Sequence, residues 1–266
     1  IEYKNGENEM EKSDLTKKMR WEIADRLAAE RLDYVNSISE SVTPRNTFYT
    51  RFVKRTIDIV VSLVVLIITF PINLIIGIIT VFDVGFPIFF KQERVGKDGK
   101  IFRIIKFMKN TKDEKGELLP ASERVTKFGR FVRKTSLDEL LNFWSILKGD
   151  MSLIGPRPLV PEYYHRYSDR HKMRLAVRPG LECPPVRPLN HAWTWEEQFE
   201  NDIWYVEHIS IFTDCLMIWR LIQFAVNSKN ANVRANADRG SFMGYDERGH
   251  AIGLRDIPQE YINSCI

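Results

Sequence analysis

The feature that most constrains this chain is a long apolar run at residues 57–82, IDIVVSLVVLIITFPINLIIGIITVF. Its only charged residue is Asp58, close to its start. About 20 residues of apolar helix cross the roughly 30 Å hydrocarbon core of a bilayer, so this run is long enough to do so. The sequence therefore predicts a helix embedded in a lipid bilayer.

Two observations favour a helix that enters and leaves the same face of the membrane. Pro71 lies near the middle of the run, where a proline removes a backbone donor and kinks a helix. Basic residues flank the run on both sides, whereas a crossing helix carries its basic excess mainly on the cytoplasmic side. They are Arg45, Arg51, Lys54 and Arg55 before the run, and Lys91, Arg94, Lys97, Lys100, Arg103, Lys106 and Lys109 after it. We expect a re-entrant helix-break-helix broken at Pro71, with a straight span as the alternative.

The bulk composition argues against several classes of protein. With 28% charged and 12% aromatic residues, the chain is typical of a folded protein. Its 39 Lys and Arg against 35 Asp and Glu give a net charge of +4, too small to indicate nucleic-acid binding. The three cysteines have no paired short spacing, so they indicate neither a disulfide framework nor a zinc site. The histidines lack metal-ligand spacing, and the sequence has no phosphate loop of the nucleoside-triphosphatase type.

Outside the apolar run, hydrophobic patterns predict three further elements. Residues 12–35 form an amphipathic helix, which is either a solvated or partner-bound extension or a helix at the membrane surface. Residues 87–90 and 101–107 form a hairpin around a turn at 96–99. Residues 211–226 form a helix that is buried in protein or lies at a membrane interface. The tail after Asn227 has no periodicity and is expected to be loop.

The best-marked helix outside the apolar run is expected to begin at Ser136 and to stop at Gly149. Its apolar residues follow helical spacing. They are Leu137, Leu140, Leu141, Trp144 and Leu147. The first four residues, SLDE, have the form of a capping box, in which Ser136 caps the helix and Glu139 reaches back to it. On spacing alone, Asp138 and Glu139 are best explained as an acidic helix start.

The same acidic pair also suits phosphate chemistry. A helix N-terminus favours both an ionised aspartate and a bound phosphate. An aspartate can form a covalent phosphoryl intermediate, and the adjacent Glu139 can hold Mg²⁺. Arg133 lies one turn upstream, and Arg157 lies in the stiff segment GPRP, where its guanidinium suits phosphate oxygens. A rival pair, Asp113 and Glu114, lies in charged, aperiodic sequence and is expected to be a solvated loop.

Five motifs together resemble the bacterial sugar transferases, the monotopic phosphoglycosyl transferases that begin glycan assembly on polyprenyl phosphate. The resemblance extends from Lys54 to about Val226 and is closest to the small, single-domain members. The motifs are KRTID at 54–58, the break at Phe70 and Pro71, QERVG at 92–96, SLDEL at 136–140 and LKGDMSLIGPRP at 147–158. The last two motifs are highly specific in combination.

This resemblance implies a fold and a location. The expected fold is α+β and mainly helical, with a re-entrant membrane helix at about 57–82, a small cytosolic catalytic domain and amphipathic surface helices. The expected domains are an accessory helical extension at 1–50, the transferase domain at 51–226 and a tail at 227–266. The expected location is the cytoplasmic face of the bacterial inner membrane. A homodimer formed through the N-terminal helix is a further expectation.

The resemblance also implies a reaction. In the family an aspartate attacks a UDP-sugar, which releases UMP and leaves a phosphosugar on the enzyme. Polyprenyl phosphate, such as undecaprenyl phosphate, then accepts the phosphosugar. By position, Asp138 is the nucleophile and Glu139 binds Mg²⁺, while Arg133, Arg157 and Arg178 bind phosphates or other anionic groups.

One region departs from the family pattern. After Arg178 the family typically continues with Thr-Gly, Gln-Val and Asn-Gly-Arg, whereas residues 181–191 here are LECPPVRPLNH. Asn190 stands where an arginine is expected, and Arg187 is the candidate that replaces it in binding substrate. Two alternatives therefore stay open: a membrane scaffold without turnover, or the same chemistry on a different nucleotide-activated donor.

Overall fold

The computed structural model describes residues 12, 15–108, 125–187, 191–226 and 240–263. The acidic pair Asp113 and Glu114 and the position of Asn190 lie outside these residues. The chain divides into two compact units. The first unit consists of Ile1–Arg45, Glu162–Ala176 and Cys183–Ile266, and the second of Asn46–Pro161 and Val177–Glu182.

Helices dominate the described part of the chain, and three two-stranded sheets accompany them, so the expected mainly helical α+β class is confirmed. The helices are α1 (Lys17–Ile38), α2 (Lys54–Val84), α3 (Lys127–Lys134), α4 (Asn142–Lys148), α5 (Asp169–Lys172), α6 (Trp195–His208), α7 (Ile211–Val226) and α8 (Gln259–Asn263). The strands are β1 (Phe89–Val95), β2 (Ile101–Phe107), β3 (Ser152–Ile154), β4 (Gly180–Glu182), β5 (Phe242–Tyr245) and β6 (Ala251–Gly253).

In the first unit, residues near the start of the chain pack against residues near its end. Helix α1, which the sequence predicts, packs on the β5–β6 hairpin, and both share one apolar core. The buried residues of this core are Leu15, Ile23, Ala24, Leu27, Met243, Ile252, Ile257, Tyr261 and Ile262. The prediction of a loop-like tail is therefore wrong for residues 240–263. Strands this short bury apolar side chains only against a partner that is distant in sequence, so they leave little periodic signal.

Helix α2 of the second unit contains the apolar run. The continuous helical stretch Tyr49–Val84 is long and apolar enough to cross a membrane, and its most apolar 18-residue window has a mean hydropathy of 2.9. Only 11% of its most apolar window is buried within the protein. The buried residues of α2 are Asp58, Ser62, Ile76, Gly77 and Thr80. The apolar residues between its two ends are therefore largely exposed, as expected of a helix whose solvent is lipid.

The predicted break at Pro71 is not confirmed, because α2 continues through this residue as one helix. A proline inside a helix removes one backbone donor and bends the helix, and the helix can continue on both sides of the bend. Side chains on both sides of Pro71 bond within the helix: Thr69 Oγ1 donates to the Val65 carbonyl at 2.8 Å, and Asn73 Nδ2 donates to Thr69 Oγ1 at 3.3 Å.

The predicted hairpin is confirmed. Strands β1 and β2 pair antiparallel, with Phe89 opposite Phe107 and Val95 opposite Ile101. The hairpin turns at Lys97–Gly99, with Asp98 in a left-handed conformation at φ 56°. Phe107, at the end of β2, packs with Ile76 of α2 and Val132 of α3. The hairpin is thereby fixed to the second half of the apolar helix.

The segment that follows α4 begins at a glycine stop and is held by the pairing of two short strands. Gly149 ends α4 at φ 104°, which confirms the predicted stop and explains the glycine. Strands β3 and β4 pair in parallel, Ser152 with Gly180 and Ile154 with Glu182. A Cβ atom on Gly180 would lie 2.1 Å from the Gly155 backbone nitrogen, so only glycine fits there. This contact fixes the backbone that leads into Arg157.

Candidate active site

Asp138 and Glu139 lie on a 3₁₀ turn, Leu137–Glu139, between α3 and α4. The predicted capping box is wrong: Ser136 is left-handed at φ 55°, and its side chain caps nothing. Its backbone nitrogen donates instead to the Arg133 carbonyl at 3.2 Å, and its carbonyl accepts from the Glu139 nitrogen at 3.0 Å. A non-glycine residue in this conformation costs about 1–2 kcal/mol, and such strain is concentrated at functional sites.

Two cations approach this acidic pair. Lys106 Nζ lies 3.4 Å from Glu139 Oε1 and 3.8 Å from Asp138 Oδ2. Arg157 Nη2 donates to Glu139 Oε1 at 2.9 Å, and its Nη1 donates to Glu182 Oε2 at 3.0 Å. Asp138 is only 4% exposed. A buried carboxylate thus lies beside a second carboxylate that two basic side chains hold.

The neighbouring charges shift the pKa values of Glu139 and of Arg157. Burial alone would raise the pKa of Glu139, but Arg157 and Lys106 outweigh it, so the pKa lies below its ordinary value. Glu182 raises the pKa of Arg157, with a smaller contribution from Glu139, against the opposing effect of burial. Glu139 is therefore ionised and Arg157 charged at neutral pH.

The first turns of α2 hold the elements on either side of the acidic pair. Arg55 donates to the Ile146 and Leu147 carbonyls at 2.6 and 2.8 Å, at the C-terminal end of α4. Asp58 accepts from Ser152 Oγ and from the Leu153 nitrogen, both at 3.0 Å. The apolar helix is thus bonded directly to α4 and β3.

Lys106 and Arg157 also line a small recess in the surface. It is lined by Arg94, Ile104, Lys106, Asn142, Met151, Arg157, Pro158 and Leu181. Four of these residues are apolar, and Arg94, Lys106 and Arg157 give the recess three positive charges. Such a recess suits phosphate oxygens, since Arg and Lys bind them through charge-assisted hydrogen bonds. A buried carboxylate near a recess lined by basic side chains is an arrangement suited to phosphoryl transfer.

Comparison with known families agrees with this chemistry. A family model described as bacterial sugar transferase matches residues 49–228, well over half of the 266 residues. The chain belongs to the bacterial sugar transferase family. The matched part contains α2, the β1–β2 hairpin, the acidic pair and the recess.

Named sugar transferases are similar to this chain over about two thirds of its length or more. The uncharacterized sugar transferase EpsL of Bacillus subtilis is 38% identical over 194 residues, which cover 71% of this chain and 96% of EpsL. The undecaprenyl-phosphate galactose phosphotransferase of Salmonella typhimurium is 32% identical over 201 residues, which cover 68% of this chain and 42% of that protein. The UDP-glucose:undecaprenyl-phosphate glucose-1-phosphate transferase of Klebsiella pneumoniae is 33% identical over 193 residues, 67% of this chain and 41% of its own length. This chain spans about two-fifths of these last two transferases.

Within this sugar transferase, the structure brings only some of the predicted site residues together. Arg157 contacts Glu139 directly. Arg178 lies in the same unit, but its Nε donates to the Gly149 carbonyl at 3.0 Å. The Arg133 side chain is exposed on α3, and Arg187 is exposed in the first unit. For these last three arginines, substrate binding stays a prediction.

Sequence reasoning missed three charged residues of the sugar transferase site. Lys106 contacts both acidic residues, Arg94 lines the recess, and Glu182 holds Arg157. Lys106 and Arg94 lie in the hairpin, where they resemble the other basic residues that flank the apolar run. Only the pairing of β1 with β2 and its packing on α2 and α3 distinguish them. Glu182 lies in the segment that departs from the family pattern, which gave no reason to assign it a role.

The acidic pair of the sugar transferase fits magnesium in its chemistry. Mg²⁺ takes oxygen ligands and is usually held by one or two carboxylates, with waters and substrate phosphates completing the shell. Asp138 and Glu139 offer two carboxylates. The position of Lys106 Nζ, 3.8 Å from Asp138 and 3.4 Å from Glu139, shows that the space beside both carboxylates can hold a positive charge. Among the described residues, the pair has no third His, Cys, Asp or Glu that would complete an all-protein site. An ion here would therefore depend on substrate phosphates.

A second cluster in the first unit has the composition of a metal site. His171, Glu196 and Glu200 place one ligand atom each within 4.8 Å of the others. However, Arg170 donates to Glu200 Oε1 at 2.8 Å and to Oε2 at 2.6 Å, and His171 Nε2 lies 3.0 Å from the same Oε1 atom. Burial opposes these hydrogen bonds, but they outweigh it and lower the pKa of Glu200 to about 2. We interpret this cluster as an ion-pair network that stabilises the first unit.

Proposed function

We propose that this bacterial sugar transferase moves a sugar phosphate from a UDP-sugar to a polyprenyl phosphate, such as undecaprenyl phosphate, as the first membrane step of glycan assembly. The observation that carries the proposal is the buried Asp138 beside Glu139, with Lys106 and Arg157 at hydrogen-bond or ion-pair distance. The names of the relatives from Salmonella and Klebsiella support the donor and acceptor classes.

In the proposed first step, a carboxylate oxygen of Asp138 attacks the phosphorus that carries the sugar. The bond from this phosphorus to the bridging oxygen breaks, and UMP leaves with that oxygen. In the second step, a phosphate oxygen of the polyprenyl phosphate attacks the same phosphorus and frees the Asp138 carboxylate. Lys106 and Arg157 stabilise the negative charge on the phosphate oxygens, which is how fixed cations lower the barrier in phosphoryl transfer.

Glu139, next to the proposed nucleophile Asp138, is the residue that we propose for Mg²⁺. The bound ion would neutralise phosphate charge and orient the diphosphate. The contact of Glu139 with Arg157 and Lys106 keeps this carboxylate ionised, which a hard cation requires of its ligand.

We also propose that α2 is re-entrant and that the site works at the cytoplasmic face of the membrane. Contacts at both ends of α2 support this arrangement. Near its start Asp58 bonds to β3, and near its end Asp83 Oδ2 accepts from Thr126 Oγ1 at 2.6 Å, just before α3. Both partners belong to the second unit, and basic residues follow as well as precede the helix. Acceptor phosphates at the membrane surface would then lie close to the acidic pair.

The decisive experiment measures UMP release from a panel of UDP-sugars by the full chain in lipid nanodiscs with undecaprenyl phosphate and Mg²⁺. We expect UMP with at least one donor, a phosphosugar adduct on Asp138, and loss of both in Asp138→Asn. Asp98→Asn is the matched control, because Asp98 is exposed in the hairpin turn, where asparagine tolerates the left-handed conformation.

The outcomes separate the alternatives. Release of UMP by a folded Asp138→Asn variant would remove Asp138 as the nucleophile. Turnover only with donors other than UDP-sugars would support the same chemistry on a different activated group. No turnover with any nucleotide-activated donor would support a membrane scaffold.

A further inference from the structure

Asn142 is a buried polar residue of the recess that the proposed mechanism does not use. It is the first residue of α4, it is 6% exposed, and it lines the recess beside Lys106 and Arg157. Its Oδ1 atom is buried and has no hydrogen-bond partner within the described part of the chain. Most buried side-chain polar atoms in proteins have such a partner, so this oxygen needs an explanation.

The surroundings of Asn142 define what would satisfy it. The three basic residues of the recess favour an occupant with anionic oxygens. A carboxamide offers both a donor and an acceptor, and rotation by 180° exchanges the two. Its full partner is therefore a group that presents an anionic oxygen and a hydrogen-bond donor side by side. A sugar phosphate does so, because the carbon next to the phosphate-bearing carbon carries an O–H or N–H group.

We propose that Asn142 is a specificity-determining residue for the transferred sugar phosphate. It binds the phosphate and the substituent on the sugar carbon next to the phosphate-bearing carbon. Its Nδ2 donates to a phosphate oxygen, and its Oδ1 accepts from the O–H or N–H group on the neighbouring sugar carbon. This assignment rests on the proposed function, since it requires the sugar phosphate to enter the recess beside Asp138. It also explains why this amide oxygen is buried without a partner among the described residues: the substrate supplies one.

The test compares two donors in wild type and in Asn142→Ala, with the full chain in nanodiscs. UDP-glucose, UDP-galactose and UDP-N-acetylgalactosamine are screened first, and the best of them is then compared with its 2-deoxy counterpart. For wild type, we expect kcat/KM to fall about tenfold on removal of the 2-substituent, as for the loss of one buried hydrogen bond. Asn142→Ala should be about tenfold slower with the intact donor and should discriminate between the two donors less than twofold.

Thermal unfolding without substrate separates this role from a structural one. Because no described residue bonds to the Asn142 oxygen, Asn142→Ala should unfold at the wild-type temperature or above it. Asn201→Ala is the contrasting variant: Asn201 Oδ1 accepts from the Val186 nitrogen at 3.0 Å, so its loss should lower the unfolding temperature.

Two results would overturn the role of Asn142 and leave the proposed function intact. One is that Asn142→Ala still discriminates between the intact and the 2-deoxy donor as strongly as wild type does. The other is that the unfolding temperature of Asn142→Ala falls by several degrees. If wild type releases UMP from none of the donors, the proposed function fails and the assignment fails with it.

Discussion

Arg157 Nη2 lies 2.9 Å from Glu139 Oε1, and this contact connects the two most specific motifs of the chain. One motif supplies the acidic pair, and the other supplies an arginine held between two prolines. The second guanidinium arm of Arg157 reaches Glu182, 3.0 Å away. The acidic pair is therefore fixed from outside its own turn.

Replacement of Arg157 tests this contact. We expect Arg157→Lys to lower kcat/KM for UMP release by about 10- to 100-fold, because an ammonium group cannot donate to Glu139 and Glu182 in the same fork. Arg103→Ala is the control: Arg103 pairs with Glu93 at 2.9 Å, but both side chains are at least half exposed. It should change the rate less than twofold. Equal losses in the two variants would contradict a specific role for Arg157.

Lys106→Met is expected to shift the pH dependence of the reaction. Lys106 and Arg157 together keep the pKa of Glu139 low, so removal of Lys106 raises that pKa. If the reaction requires ionised Glu139, the acidic limb of the kcat/KM profile moves to higher pH. Lys91→Met removes the same charge from an exposed position of the hairpin and should leave the limb in place. An unchanged limb in Lys106→Met would contradict the proposed role of this lysine.

Asp58→Ala should destabilise the protein, because it leaves the Leu153 nitrogen and the Ser152 hydroxyl without their acceptor. The expected loss is about 2 kcal/mol, typical of hydrogen bonds to a charged group. Ser62→Ala is the matched control on the same helix, since Ser62 Oγ is buried and makes no hydrogen bond to a described residue. Thermal unfolding in nonionic micelles measures both. Equal unfolding temperatures for the two variants would argue against the Asp58 anchor.

The re-entrant arrangement predicts that both ends of α2 are reached from one side of the membrane. Asn46→Cys and Lys100→Cys, each in a chain whose native cysteines are replaced by serine, mark positions before α2 and beyond it. We expect an impermeant maleimide to label both in inside-out vesicles and neither in intact spheroplasts. Labelling of one position from each side would establish a straight span instead.

Glu200 predicts an acid-sensitive first unit. Its pKa is lowered to about 2 from 4.5, so its contribution is complete above pH 4.5 and is lost as the pH falls towards 2. Because its side chain is 37% exposed, we expect only about 1 kcal/mol. Glu200→Gln should therefore unfold at a lower temperature at pH 7, and this deficit should shrink at pH 3. Glu22→Gln, which alters an ion pair in which both side chains are more than half exposed, should show neither effect.

Part of the candidate site can be predicted from the sequence. The acidic pair and Arg157 lie in compact motifs, so residue type and spacing were enough to select them. The prediction of a capping box at Ser136 is wrong, because the sequence SLDE is also compatible with a left-handed serine followed by a 3₁₀ turn. Local spacing cannot distinguish the two, since the choice depends on how α3 and α4 pack on α2 and β2.

By itself, the sequence determined the long apolar helix, the hairpin, the stop at Gly149 and the motif around Asp138. Each depends on residues that are neighbours in the chain, where hydrophobic period and turn chemistry act directly. The tertiary structure alone decided that Lys106 meets the acidic pair and that Asn142 lines a cationic recess. It also decided that residues 240–263 complete the core of α1. These contacts join residues that are distant in sequence, and their energy comes from burial and charge that exist only once the chain has folded.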